Sequence, residues 1–311
     1  MKKISLFFVL ASVVFFVLFS GCSKTSVTAI ATAAPTDYAA FVSVPAGTFT
    51  QTDTIAHSFV HTISAFKIGK YEVTYDLWYT VKTWATSNGY VFANAGMEGY
   101  DGVRVSGAAP TTAEKNPVNA VSWRDAIVWC NAYSEKNALI ACYTYSSAVI
   151  KDSTDATACD NAVCTWSNNG YRLPSESEWQ YAASYKDGTN WTAYNYASGA
   201  TADNTDATAT GLVAWCYGNS GSVTHEVGTK TANALGIYDM SGNILEWCWD
   251  WYGVYPGTAQ ENYRGPANGS YRINHGGFYD INEAGMAIGS RTMGSTSSIN
   301  NGKGFRLAKT N

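Results

Sequence analysis

The chain has 311 residues, of which 14% are charged and 14% aromatic, and its formal net charge is −4. So many rings with so little charge exclude a disordered chain, and the acidic balance (pI about 5.6) is not that of a nucleic-acid binder. Scattered glycines, and the lack of heptads or of long apolar runs beyond the first twenty residues, exclude collagen, coiled coils and multi-spanning membrane chains.

The first element in chain order is a leader. Lys2 and Lys3 form a basic start, and the apolar run Ile4 to Phe19 is too short for a comfortable membrane span. It ends at Phe19-Ser20-Gly21-Cys22, and small residues before a cysteine are the mark of a bacterial lipoprotein signal. Cleavage before Cys22 and lipidation of Cys22 are expected; the alternative is an ordinary secretory leader with an incidental cysteine. Ser23, rather than Asp, fits onward transport to an outer membrane and exposure at the surface. Residues 1–21 are thus read as signal, 22–40 as a flexible tether rich in Ala, Thr and Ser, and 41–311 as one folded domain.

Phe41 to Phe49 reads as a strand, a turn at Pro45 and a second strand. Phe66 to Val73 alternates with period two and reads as another. Thr74 then caps a helix that carries Leu77, Trp78 and Val81. Ser122 caps a second helix, with Trp123, Ala126, Ile127, Cys130 and Tyr133 at helical spacing. Ser175 opens a third, short helix. Glu178 completes its capping box, and Trp179 and Ala182 face inward. Beyond Asn190 little helical periodicity remains, only a few short strands among Gly, Asn, Thr and Ser. The fold class is α+β, with a high loop content and no internal repeat. Loops this long need staples, expected to be rings, disulfides or metals rather than ion pairs.

Export permits disulfides. Cys159 with Cys164 is the first candidate pair and Cys130 with Cys142 the second, among the many connectivities that six cysteines allow. A zinc site is disfavoured: there is no CxxC, and His57, His61, His225 and His275 lie apart from the cysteines. The run Trp247 to Tyr252 is too aromatic to be solvated and reads as core; its functional alternative is a ring-lined ligand pocket.

Four segments carry a family resemblance. They are Asn116 to Trp123, Tyr171 to Trp179, Gly236 to Trp247, and Gly276-Gly277 followed by Gly304-Phe305-Arg306-Leu307. Together they resemble the formylglycine-generating-enzyme (sulfatase-modifying factor) domain, from about Phe41 to the C-terminus. The resemblance implies a loop-rich C-type lectin fold. Within these segments Arg172 and Arg306 are expected to anchor buried carboxylates or carbonyls by bidentate bonds. Asn243 and Glu246 resemble one calcium site of the family, since an amide oxygen and a carboxylate are hard ligands. Structural Ca²⁺ is therefore an expectation there, and a second site would fall near Asp203 and Asn204. The alternative is that Glu246 forms a salt bridge.

The sequence departs from the enzymes. Their copper(I)-binding cysteine pair follows the Gly-Gly pair, and the corresponding positions here are Ile281 and Met286. Neither supplies a thiolate, so no copper and no oxidase activity are expected. The related sulfoxide synthases need iron from a separate His-rich domain, and no Ser-His-Asp set or phosphate loop replaces these groups. The chain reads as non-enzymatic.

Between Gly277 and Gly304 unlike side chains stand together without strand or helix period. This resembles the variable region, here about 278–303, of proteins diversified by retroelements, several of which use the same fold. Randomised template adenines turn an Asn codon into Phe, Tyr, Asp, Ile, Ser, Thr or Gly, which are frequent here; Glu283, Met286 and Met293 need other codons. An exposed binding surface is expected from Phe278, Tyr279, Asp280, Ile281, Asn282, Ile288, Ser290, Thr292 and Met293. Phe278 and Tyr279 would be its anchors, and Asp280 and Asn282 its polar contacts. The partner would be a protein or surface molecule, not nucleic acid. The alternatives are a structural or envelope-assembly lipoprotein and, disfavoured, a sulfatase-modifying oxidase.

Overall fold

The computed structural model describes residues 37–111 and 115–311. The expected leader, the Cys22 anchor and residues 22–36 of the expected tether lie outside the described residues. Asp37–Asn311 form one compact unit. Tyr38 is held there by the ring of Tyr71, centroids 5.4 Å apart, and the carbonyl of Ala40 accepts from the Lys70 N–H.

Pro45 separates β1 (Phe41–Val44) from β2 (Gly47–Thr52), as the sequence implies. β3 (Ser58–Ile63) alternates exposed and buried side chains. β4 (Phe66–Gly69) is shorter than its pattern suggested, because Gly69 and Val73 donate to Leu307 and Phe305 near the C-terminus instead of prolonging the strand. α1 (Tyr75–Thr86) starts after Thr74, whose hydroxyl donates to Asp76 rather than capping backbone N–H groups. After the short pair β5 (Met97–Glu98) and β6 (Val118–Asn119) comes α2 (Trp123–Lys136), closed by a capping box between Ser122 and Asp125. Asp125 also accepts from Ala93, Asn94 and Ser153, so one carboxylate ties the helix start to two loops.

β7 (Tyr143–Tyr145), β8 (Ala148–Val149), α3 (Ala156–Asp160) and β9 (Val163–Cys164) form a small subassembly. α4 (Glu176–Ser184) has the Ser175–Glu178 capping box expected of it. Two short helices then appear that periodicity did not reveal, α5 (Ala207–Val213) and α6 (Tyr217–Ser220). Neither is long enough to repeat an apolar face. The rest is β10 (Leu245–Trp251), β11 (Gln260–Glu261), β12 (Arg272–His275), β13 (Arg291–Gly294), β14 (Lys303–Gly304) and β15 (Ala308–Thr310).

The C-terminal strands build the central four-stranded sheet, in the order β13-β12-β10-β14. Its β10–β14 pair is parallel and the others antiparallel. Two apolar clusters sustain the fold. In one, Trp78 and Trp129 stack at 5.8 Å and meet the edge of Phe305. In the other, Trp179 of α4 packs with Phe66, Ile68, Ile273 and Ile288.

Two expectations about staples are corrected. All six cysteines of the described residues are free, buried thiols, including Cys159, Cys164, Cys130 and Cys142. The Cys159 thiol turns to the carbonyl of Asp152, and Cys164 sits in β9 opposite Tyr143. Burial pushes the Cys142 thiol up to about 11 and that of Cys159 to about 12, which keeps both protonated and poor nucleophiles. Buried arginine–carboxylate pairs act as staples where disulfides or metals were expected, one within the segment Tyr171–Trp179 and one joining positions 246 and 306. Arg172 meets Glu178 through two bonds of 2.6 and 2.8 Å, and Arg306 meets Glu246 through two of 2.6 Å. Both arginines are buried. Their bidentate anchoring agrees with the sequence reading.

Candidate ligand-binding surface

The segment after β12 turns at Gly276 and Gly277, both with positive φ. At Gly277 a Cβ would come within 2.6 Å of the Gly285 carbonyl oxygen, so no larger residue fits without a shift. The loop that follows has its backbone fixed to the scaffold along most of its length. Tyr279 N–H donates to Asn243, its carbonyl accepts from Ser220 Oγ, and the Ile281 carbonyl accepts from Tyr217 N–H. Ser241 Oγ donates to the Met286 carbonyl, and the N–H groups of Ile288 and Gly289 donate to Tyr196 and Tyr194. A single 3₁₀ turn, Glu283–Met286, sits between these anchors.

Beyond the loop, β13 is the edge of the central sheet, in register with β12 from Arg272↔Gly294 to His275↔Arg291. Its first residue, Arg291, is clamped by Glu176 at 2.7 Å and lies 4.2 Å over the Tyr255 ring. His275 stacks on Trp179 at 4.6 Å and meets the same Glu176 at 3.2 Å. Farther on, the carbonyls of Asn300 and Asn301 accept from Ala120 N–H and Asn119 Nδ2.

This frame presents only part of the expected surface. Asp280, Asn282 and Thr292 are exposed and Met293 is 49% exposed, while Phe278, Ile281 and Ser290 are half-buried. Two residues are corrected. Tyr279 is only 5% exposed and stacks on Tyr100 at 5.6 Å, and Ile288 is fully buried in the second apolar cluster. In an irregular loop no period distinguishes inward from outward positions. Ile299, Asn300 and Asn301 are exposed on the same segment. Ile281 and Met286 pack in a third apolar cluster with Ala197, Val213 and Cys216.

The expected calcium ligands are otherwise engaged. Both Glu246 oxygens are held by Arg306, and Oε2 also accepts from Trp179 Nε1 at 2.7 Å. Asn243, in the left-handed region, donates to Glu72 at 2.7 Å and accepts from His225 N–H at 3.0 Å. A cation between Asn243 and Glu246 would have to displace a guanidinium, so the residues present do not fit calcium. Asp203 caps its own turn through Thr205, and Asn204 donates to the Ala284 carbonyl. Among the described residues no group of three His, Cys, Asp or Glu is placed to hold a metal ion.

What surrounds Glu246 instead is a buried acid cluster. Glu72 lies close to Asp239 and Glu246, and Arg306 is their shared cation. Burial raises the Glu72 carboxyl well above the usual carboxylate range, and the neighbouring acids add to the effect. Burial likewise lifts Asp239 from the ordinary 3.8 to about 6, against the pull of Gly228 N–H and Arg306.

Comparison with known proteins is consistent with this architecture. Residues 27–311 match the sulfatase-modifying factor enzyme 1-like domain. The chain is 34% identical over 227 residues to chaperone protein LppX of Paenibacillus barcinonensis, covering 65% of this chain and 68% of that protein. In structure it is similar to Treponema denticola variable protein 1, with a TM-score of 0.68 and 30% identity over 87% of this chain and 95% of that one. It is also similar to CarF, with a TM-score of 0.63 and 25% identity over 88% of this chain and 98% of that one. The α+β chain, with its loop-rich C-type lectin architecture, therefore belongs to the sulfatase-modifying factor enzyme 1-like domain family.

Proposed function

We propose that this protein is a non-catalytic lipoprotein of the bacterial envelope that binds a protein or surface molecule through side chains of segment 278–303. The observation that carries this reading is the contrast within that segment. Its backbone is pinned to the scaffold by hydrogen bonds, while Asp280, Asn282, Thr292 and Met293 are exposed. A pre-ordered backbone spares a binding surface the entropy of ordering a loop. Asp280, Asn282 and Thr292 supply polar contacts, and Met293 with half-buried Phe278 supplies apolar area. The similarity to the Treponema variable protein supports the same reading, and diversification of the segment by a retroelement belongs to the proposal. That part predicts a near-copy of the 3′ coding segment nearby, differing at template adenines, together with a reverse-transcriptase gene; a genome lacking both contradicts it.

The absence of catalysis rests on Ile281 and Met286, which stand in the oxidase's thiolate positions and pack into an apolar cluster. Incubated with copper(I), oxygen and a cysteine peptide, the protein is expected to form no aldehyde, and turnover above the protein-free control would overturn the reading. Anchoring at Cys22, at the outer membrane, belongs to the same proposal. A second reading, an assembly or chaperone role, is favoured by the 34% identity to LppX. It differs in expecting partner contacts that survive scrambling of residues 278–293.

A further inference from the structure

The chain has seven arginines. Five are paired with carboxylates: Arg104 with Glu98 and Asp101, Arg124 with Asp160, Arg172 with Glu178, Arg291 with Glu176, and Arg306 with Glu246. Among the described residues Arg264 and Arg272 have no such partner, and both line one cleft of about 760 Å³. Trp249 and Trp251 of β10 form part of its wall, and the loop 265–270 faces residues 160–163 across it. Thr296, beyond β13, also lines it.

Arg272 is only 1% exposed. Its guanidinium lies 3.7 Å from the Trp123 ring centroid and 3.4 Å from that of Trp251, and Nη1 donates to the Trp249 carbonyl. Its Nε is buried without a partner. Burial lowers the group to about 9, which Asp250 and, to a lesser extent, Asp160 only partly offset; Asp160, the one carboxylate of the cleft lining, is itself held by Arg124. A buried cation without an anion is costly, and fixed structures normally supply one. Arg264 lies 3.9 Å over Trp166, whose ring also carries Arg172 at 4.4 Å. Stacking of this kind occupies the faces of a guanidinium and leaves its N–H edges for oxygens.

We propose that this cleft binds an acidic saccharide, whose acid groups meet Arg264 and Arg272. The remaining lining favours a hydroxyl-rich body over an aliphatic one: Asn161, Asn268, Ser270 and Thr296 offer amides and hydroxyls, and Trp251 offers part of a ring. The volume is that of an ordinary small-ligand site and admits a disaccharide. Apart from Thr296, no lining residue of the cleft belongs to segment 278–303, so it is a second binding function and not a restatement of the first.

Digalacturonate and its neutral dimethyl ester test the proposal by calorimetry on the full chain at low salt. The acid is expected to bind saturably and at least tenfold tighter than the ester. Arg264→Gln is expected to weaken the acid at least tenfold. Ser270→Trp, which puts a bulky ring at an exposed lining position, is expected to do the same, with circular dichroism confirming that both variants are folded. An Asp280→Ala/Asn282→Ala variant is expected to bind the acid normally. Equal affinity for acid and ester, no saturable binding, or binding that both cleft variants retain overturns the proposal. Binding of inorganic sulfate without binding of digalacturonate overturns the saccharide assignment.

Discussion

Arg306→Met is expected to lower the unfolding free energy by about 3–5 kcal/mol, the usual penalty for removing one partner of a buried ion pair. Arg306 is fully buried and pairs with Glu246 through two bonds of 2.6 Å. Its other donors reach the carbonyls of Gly69 and Tyr238, at 3.0 and 2.9 Å. One guanidinium thus joins the end of β4, the loop before β10 and β10 itself. Without it Glu246 would be left as a buried carboxylate with no cation, near Glu72 and Asp239. Urea unfolding at neutral pH reads the loss as a lower midpoint at constant slope. A loss under about 1 kcal/mol would mean that the pair is not the staple described. The control is Arg306→Met/Glu246→Leu, which removes both charges and should recover part of the loss.

The second large effect has the opposite sign. Asp239 titrates near 6 in the fold against 3.8 ordinarily, so the folded state holds its proton over a window where the unfolded chain releases it. Stability from this group is therefore greatest below about pH 4, falls as pH rises toward 6, and stays lost above that. The shift corresponds to roughly 3 kcal/mol at pH 7. Asp239→Asn removes the charge. It keeps an oxygen for the Gly228 N–H, and asparagine tolerates the residue's φ of +55°. The variant is expected to be more stable than the wild type at pH 7 by about 2–3 kcal/mol and equal to it near pH 4. Urea midpoints measured across that range check this; a constant difference at all pH values would contradict it.

What the sequence disclosed was local or chemically unambiguous. The capping boxes at Ser122 and Ser175 lie within single turns and read directly. Arg172 and Arg306 were legible as anchors because an arginine in an apolar segment needs an oxygen partner. The Trp247 to Tyr252 run was assigned to core, with a ring-lined ligand pocket as the alternative. Trp247 is buried, while Trp249 and Trp251 line the cleft beside Arg272. The misreadings share one cause, that the information is not local. For Glu246 the sequence left a calcium ligand and a salt bridge both open, because Arg306, its partner, is sixty residues away. Tyr279 and Ile288 were read as exposed because a loop has no period to mark its inner face. The cleft draws on segments near 160, 250, 265 and 296, which nothing in the sequence connects.

The most direct test of the central claim is site-specific photo-crosslinking in living cells. A photoreactive residue is placed singly at Asp280, Asn282, Thr292 or Met293, and, for comparison, at the exposed positions Ser87 and Ile140 outside the segment. Recognition through segment 278–303 predicts discrete adducts from the first four positions and none from the other two. Adducts of equal yield from all six, or from the control positions alone, would contradict it.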